Sequence, residues 1–134
     1  MRLRRGTTSV EFGMIIVVFF GMLFAIMDWG WYFFQRSQFM DAVLDGTRRA
    51  VTRSQSDASL DPANAAVQYT EENLTDYGMD PALTTISATY EGTTPSEVLI
   101  VDASMPFEPL IGLFTWQLPD SVSAEMSMYL EMQD

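Results

Sequence analysis

The chain has 134 residues, a formal net charge of −11, 18 acidic residues and 7 arginines, and it contains no lysine, histidine or cysteine. Without histidine and cysteine, the sequence excludes disulfide bonds, thiolate metal sites and the Ser-His-Asp or Cys-His arrangements of nucleophilic enzymes. All of the arginines lie before residue 54, and the remainder of the chain is acidic, which argues against phosphate-neutralising contacts with nucleic acid in that part.

A long apolar segment begins at Phe12. The sixteen residues from Phe12 to Met27 carry no charge, and after Asp28 the apolar character resumes and continues to Phe34. A helix crosses the hydrocarbon core of a bilayer with about 20 apolar residues, whereas a cleaved secretory signal has an apolar core of only about 7–15 residues. The segment 12–34 therefore predicts a transmembrane helix, and the lipid bilayer is the first expected partner.

The distribution of charge predicts how this helix is oriented. Arg2, Arg4 and Arg5 precede the segment, and the residues beyond 53 carry acids but no bases. Basic flanks stay on the cytoplasmic side of a membrane. We therefore expect a single-pass protein of the inner (cytoplasmic) membrane, with its C-terminal domain periplasmic or extracytoplasmic.

Helical character is expected to continue beyond the membrane. Thr8 and Glu11 match a capping box, which predicts a helix start near Ser9, and apolar residues recur every three or four positions as far as about residue 52. The prediction is one N-terminal helix within 7–53, followed by a polar linker at 54–61. Gly46 is either a kink in this helix or a site of close packing.

The remaining residues, 62–134, predict one small α+β domain. Asp61 and the proline after it are typical of a helix start, and Gly78 is typical of a helix end. This second helix is expected to bury one side, formed by Ala63, Ala66, Val67, Leu74 and Tyr77. Period-two alternation over 84–90, 97–105 and 121–132 predicts three strands. The expected fold is α+β and pilin-like: a long transmembrane and amphipathic helix, then a second helix packed on a three-stranded antiparallel sheet.

The connection before the last predicted strand is unusually apolar. It contains Phe107, Leu110, Leu113 and Phe114 and is bounded by prolines. Apolar side chains in a loop indicate a covering surface. Two interpretations remain open: these side chains close the end of the small core, or they contact another protein.

Three sequence segments together resemble one known family. They are Gly6-Thr7-Thr8-Ser9-Val10-Glu11-Phe12 behind a basic head, Met27-Asp28-Trp29-Gly30 within the apolar segment, and Asp45-Gly46-Thr47-Arg48-Arg49 beyond it. The strand that runs into Pro106-Phe107 adds a looser match. The chain resembles the TadE-like minor pseudopilins of the tight-adherence (Tad, or Flp) branch of type IV pili.

The resemblance implies a processing site and an assembly residue. A prepilin peptidase would cut between Gly6 and Thr7 and remove a basic leader at 1–6. Glu11, followed by the aromatic Phe12, would then meet the N-terminal amine of a neighbouring subunit. Judged alone, Glu11 is also explained as a helix cap, so both roles remain open at this stage.

The resemblance also implies a function and partners. It implies a minor pseudopilin that helps initiate or cap a pilus used for adhesion, biofilm formation or secretion. The expected partners are the prepilin peptidase, the Flp-type major pilin, a TadF-like minor pseudopilin and the inner-membrane pilus platform. No cofactor, metal, small-molecule substrate or nucleic acid is expected, and the chain is expected not to be an enzyme.

Three further alternatives arise from the residues. Asp28 is either a functional group within the membrane or an acid at the membrane boundary, among the aromatic residues that follow it. An uncleaved, signal-anchored periplasmic binding or scaffold module has the same hydrophobicity pattern. A small enzyme would have to use carboxylates such as Glu71, Glu72 and Asp76, which we interpret as ordinary helix surface.

Overall fold

The computed structural model describes residues 4–57, 59–93, 96–113 and 115–131. Its elements confirm the predicted α+β class, with two helices and one antiparallel sheet. In chain order they are α1 (Arg4–Ser56), α2 (Pro62–Asp76), a 3-10 helix (Pro81–Leu83), β1 (Thr85–Thr93), β2 (Ser96–Pro106), a second 3-10 helix (Thr115–Gln117) and β3 (Ser121–Glu131).

The chain divides into two compact units. The first comprises Met1–Phe33 and Glu108–Pro119, and the second comprises Phe34–Phe107 and Asp120–Asp134. The second unit therefore takes its core from the C-terminal part of α1 as well as from α2 and the sheet.

Helix α1 begins earlier than the sequence predicts. It starts at Arg4, so Thr8 and Glu11 both lie inside the helix, and no acidic residue occupies its first turn. The predicted capping box is therefore wrong, because its N-cap residue, Thr8, would have to precede the first turn of the helix.

Helix α1 also ends later than predicted, at Ser56. The amide of Asp57 still donates to the carbonyl of Arg53 at 3.0 Å. The Asp57 carboxylate accepts hydrogen bonds from the Ser59 hydroxyl at 2.6 Å and the Ser59 amide at 3.0 Å. These bonds, the hydroxyl's first, lower the pKa of Asp57, and they turn the chain out of the helix.

Both predicted ends of α2 are confirmed. The side chain of Asp61 accepts a hydrogen bond from the amide of Ala63 at 3.2 Å. At the other end, Gly78 has a φ of 75°, and the amide of Met79 donates to the carbonyl of Leu74 at 2.9 Å. This is the Schellman arrangement, which needs a residue in the left-handed region and so favours glycine.

The buried surface of α2 differs from the single predicted stripe. Tyr77 is 46% exposed, so its predicted burial is wrong. The helix lies between the C-terminal part of α1 and strands β1 and β2, and burial therefore extends over two of its sides. Its buried residues are Ala65, Ala66, Thr70, Asn73 and Leu74.

Gly46 is the point of closest approach between α1 and α2. A Cβ atom built on Gly46 would lie 2.8 Å from the backbone nitrogen of Thr70 and 2.9 Å from its Cα. Nearby, the side-chain amide of Asn73 donates to the carbonyl of Ala42 at 3.2 Å. Since α1 continues through Gly46 as helix, the glycine is a close-packing site, one of the two predicted alternatives.

A second contact between these helices lies at the surface. The guanidinium of Arg49 lies 4.8 Å from the centre of the Tyr69 ring, and one of its nitrogens is 3.6 Å from a carboxylate oxygen of Glu72. Both side chains of the ion pair are about half exposed. The pair is therefore worth at most about 1 kcal/mol, and the buried contacts carry most of the helix packing.

The sheet has the order β1-β2-β3 with antiparallel pairing throughout. Residues that face each other across neighbouring strands lie on the same side of a sheet, so the register tests the predicted inner face. The predicted inner face is confirmed by three sets of residues that face each other across β1, β2 and β3. They are Ile86 with Ala103 and Ala124, Ala88 with Val101 and Met126, and Tyr90 with Leu99 and Met128.

Tyr90 connects the sheet to the start of α2. Its hydroxyl donates to the carboxylate of Asp61 and accepts the amide hydrogen of Ala63 at 3.0 Å. Partial burial and then the bond to Asp61 raise the pKa of Tyr90, because both favour the protonated phenol. The cap of α2 is thereby tied to β1.

The contact at Gly46 predicts the effect of adding one methyl group. We expect Gly46→Ala to lower the free energy of unfolding, because overpacking costs about 1–3 kcal/mol and the gain in helix propensity returns only about 0.5–1 kcal/mol. Thermal unfolding of the full chain in detergent micelles, followed by circular dichroism, measures this loss.

Gly30→Ala is the matched control, since nothing lies within 4 Å of a Cβ built at Gly30. That variant should keep or raise the melting temperature. An unchanged melting temperature for Gly46→Ala would contradict the close-packing role.

Candidate membrane and assembly site

The N-terminal part of α1 presents apolar side chains on all sides. Among the described residues, Thr8–Ser56 is the one helix long and apolar enough to cross a membrane, and none of its most apolar stretch is buried within the chain. A helix that is apolar all round and unburied in its own protein fits a lipid environment. This long N-terminal helix therefore supports a single membrane span.

The predicted processing junction lies within α1. Both Gly6 and Thr7 belong to the helix backbone. Glu11 follows Thr7 by four residues, which is about one helical turn. Its carboxylate is exposed between Val10 and Phe12, whose side chains are 60% and 63% exposed. Glu11 is thus an exposed acid at the start of an apolar surface.

Asp28 is the acid that the structure removes most completely from solvent. Its relative exposure is 0%. One carboxylate oxygen accepts the amide hydrogen of Ile111 at 2.8 Å, and the other accepts that of Gly112 at 3.2 Å. These amides replace water as donors, so the charge is held by the backbone of the apolar connection between β2 and β3.

The backbone of this connection is shaped for the carboxylate. Gly112 has a φ of 74°, in the left-handed region that glycine enters without strain. Consecutive amides with this kind of backbone conformation form a concave binding site for an anion. Ile111 and Gly112 were not among the predicted site residues. The glycine within an apolar run was the only sequence signal for them.

The side chains of the connection have different environments. Phe107 is buried, at 7% exposure, whereas Leu110 and Leu113 are each 58% exposed. The interpretation that these residues close the core therefore holds for Phe107 and is wrong for Leu110 and Leu113. Trp116, which the sequence did not single out, is 77% exposed. Phe114 lies outside the described residues.

The carboxylates considered for catalysis lie at the surface. Glu71, Glu72 and Asp76 are exposed on α2. The Glu72 side chain accepts a weak hydrogen bond from Gln68 at 3.5 Å and pairs with Arg49. Within the described part of the chain, no group of three or more acidic residues is placed to hold a metal ion. The chemistry that the structure does present is the Asp28 contact and the exposed apolar surface.

The two bonds to Asp28 predict how an amide would behave in its place. Asp28→Asn leaves one acceptor oxygen and turns an NH₂ group toward the second backbone amide. We expect a loss of about 1–3 kcal/mol in local stability, seen as faster hydrogen exchange at Ile111 and Gly112. Hydrogen–deuterium exchange with mass spectrometry on the full chain in micelles measures the change.

Asp41→Asn is the control for this exchange experiment, because Asp41 is an exposed acid on the same helix. It should leave the exchange of Ile111 and Gly112 as in the wild type. Equal exchange rates in the Asp28→Asn variant and the wild type would show that the carboxylate does not hold the connection.

Comparison with known proteins relates most of α1 to one family. The family model described as TadE-like protein matches residues 6–48. No curated protein and no solved structure matches the chain. The match begins at Gly6 and includes Glu11, Asp28 and Gly46. It confirms the resemblance deduced from the sequence and is consistent with a TadE-like protein of the Tad pilus system.

Proposed function

We propose that this protein is a minor pseudopilin that a prepilin peptidase processes and that helps to initiate or cap a Tad/Flp-type pilus. The observation that carries the proposal is the TadE-like match over residues 6–48, together with the long apolar helix. The match starts at the glycine of the proposed cleavage junction. The family relationship by itself indicates a role associated with the Tad pilus.

Cleavage after Gly6 changes the charge at the start of α1. It removes Arg2, Arg4 and Arg5, three positive charges, so the formal net charge falls from −11 to −14. It also creates an ammonium group at Thr7. The arginines would thus serve orientation during membrane insertion, and their removal leaves Glu11 and the new amine as the first charges of the mature chain.

Glu11 then needs a partner of opposite charge. The side chains of Val10 and Phe12 beside it are exposed apolar groups that favour lipid or another apolar helix. An isolated carboxylate is costly in such surroundings, and an ammonium brought beside it lowers that cost. The amine of a neighbouring subunit supplies this charge, and the pair sets the register between the helices.

The proposal includes a location and a set of partners. Helix α1 holds the protein in the inner membrane by residues 12–34, with the acidic C-terminal part on the periplasmic side. The Flp-type major pilin and a TadF-like minor pseudopilin would pack against the exposed apolar surface of α1. The inner-membrane platform and the prepilin peptidase would act on the protein before or during assembly.

The mature N-terminus tests the proposed function directly. In cells that carry the pilus system, we expect mass spectrometry of the purified protein to show Thr7 as the first residue. In cells that lack the prepilin peptidase, the chain should keep residues 1–6. A mature protein that retains Met1 or Arg2 would reject the pseudopilin proposal and favour the uncleaved, signal-anchored module.

The role of Glu11 is tested by Glu11→Gln, which keeps the size of the side chain and one acceptor oxygen but removes its charge. We expect normal cleavage at Gly6 and at least about a tenfold loss of incorporation into pilus assemblies, corresponding to about 1.4 kcal/mol. Quantitative immunoblotting of sheared pili and membrane fractions measures the distribution. Asp41→Asn, at an exposed acid outside the apolar segment, is the control. Incorporation of Glu11→Gln at the wild-type level would exclude charge pairing.

A further inference from the structure

We propose that the connection Glu108–Pro119, here named the β2–β3 loop, enters the outer interface of the bilayer beside α1. Asp28 holds it there, so the protein contacts lipid through two elements instead of one. This inference rests on the membrane insertion of α1 in the proposed function, and it adds a second lipid-contacting surface.

The position of Asp28 along α1 determines the depth of the loop. Asp28 precedes Phe34, the end of the apolar segment, by six residues, which corresponds to about 9 Å of helix. The whole segment from Phe12 to Phe34 is roughly 33 Å long at that rise, close to the hydrocarbon thickness of about 30 Å. The carboxylate therefore lies below the outer boundary, and the amides of Ile111 and Gly112 lie with it.

The cost of separating the loop from Asp28 favours insertion. If the loop left the membrane, the carboxylate would lose both donors and remain in an apolar environment. An acidic side chain without hydrogen-bond partners is costly in such surroundings. If the loop stays, the two hydrogen bonds persist and the neighbouring apolar side chains are covered by lipid. Both the hydrogen bonds and the burial of apolar side chains favour the inserted position of the loop.

The side chains of the loop suit a bilayer interface. Leu110 and Leu113 are 58% exposed, Ile111 is 37% exposed and Trp116 is 77% exposed. From residue 109 to residue 119 the loop carries no charge, and Glu108 lies at its edge. Tryptophan concentrates at membrane interfaces, where the ring is in an apolar layer and its N–H reaches polar groups. The loop therefore presents apolar anchors and an interfacial aromatic residue.

The β2–β3 loop lies beside the lipid-exposed part of α1, and this position favours lipid over a second protein as the environment that covers the loop. Within the same compact unit, Trp29 and Phe33 of α1 are 36% and 55% exposed. Their rings lie 5.7 Å apart at their centres. The loop is bonded to α1 at Asp28, directly before Trp29, so it is attached at the aromatic outer end of the proposed span. Because the loop has no basic residue, we expect apolar burial rather than attraction to anionic headgroups to hold it.

Depth-dependent quenching of single tryptophans tests the proposal. The full chain is reconstituted into zwitterionic phosphatidylcholine vesicles whose acyl chains carry bromine at shallow or deep positions. In the first variant, Trp29→Phe and Trp31→Phe leave Trp116 as the only tryptophan of the sequence, which is excited selectively over tyrosine. A second variant keeps only Trp29. A third replaces all three tryptophans by phenylalanine and adds Tyr129→Trp, since Tyr129 is 72% exposed on β3.

We expect shallow bromine to quench Trp116 several-fold more strongly than the reporter at position 129, with emission shifted to shorter wavelength. Adding Asp28→Asn to the Trp116 variant should reduce this quenching while quenching of Trp29 in its own variant is unchanged by the same substitution. Circular dichroism of each variant verifies that the helices and the sheet are retained.

Three outcomes would overturn the inference. If lipid quenches Trp116 no more than the reporter at position 129 while Trp29 is quenched, α1 is inserted and the loop is not. If Trp116 is protected from aqueous acrylamide as well as from lipid bromine, a second copy or another protein covers the loop. If Trp29 is also unquenched, α1 itself is not inserted, and both the inference and the membrane location in the proposed function fail.

Discussion

A carboxylate without water must receive its hydrogen bonds from protein, and this requirement at Asp28 organises the first compact unit. The two backbone amides that meet the carboxylate come from a connection 83 and 84 residues further along the chain. They bring an apolar loop beside an apolar helix, although neither element buries the other's large side chains completely. A charge in the middle of an apolar segment, costly by itself, thereby becomes a point of attachment.

The second unit uses a different kind of contact. There, Gly46 allows α1 to approach the backbone of α2, and Asn73 spans the same gap with a hydrogen bond to the carbonyl of Ala42. The sheet covers the other side of α2 and is joined to its start through Tyr90 and Asp61. Small residues and short polar side chains at the helix contact leave the large apolar residues to fill the core, among them Phe39, Leu74, Leu99 and Val101.

Local patterns predicted much of this fold because their physical causes are local. Period-two alternation identified the inner face of all three strands, and Asp61 and Gly78 identified both ends of α2. The buried faces of α2 could not be predicted in the same way, because Thr70 and Asn73 contact residues of α1 that precede them by more than twenty positions. For the same reason the sequence identified Asp28 as unusual but could not identify Ile111 and Gly112 as its donors. The start of α1 was predicted too late because the capping box pattern does not require that a helix begin there.

The separation between Asp28 and its donors also has a consequence for the order of synthesis. At about 5–20 residues per second, the ribosome needs roughly 4–17 s to pass from residue 28 to residue 112. The apolar segment is therefore made well before the amides that satisfy its buried acid. During this interval the nascent helix carries a carboxylate without its final partners, and only the arrival of the β2–β3 loop completes the unit. Maturation of the membrane segment thus depends on residues translated more than eighty positions after it.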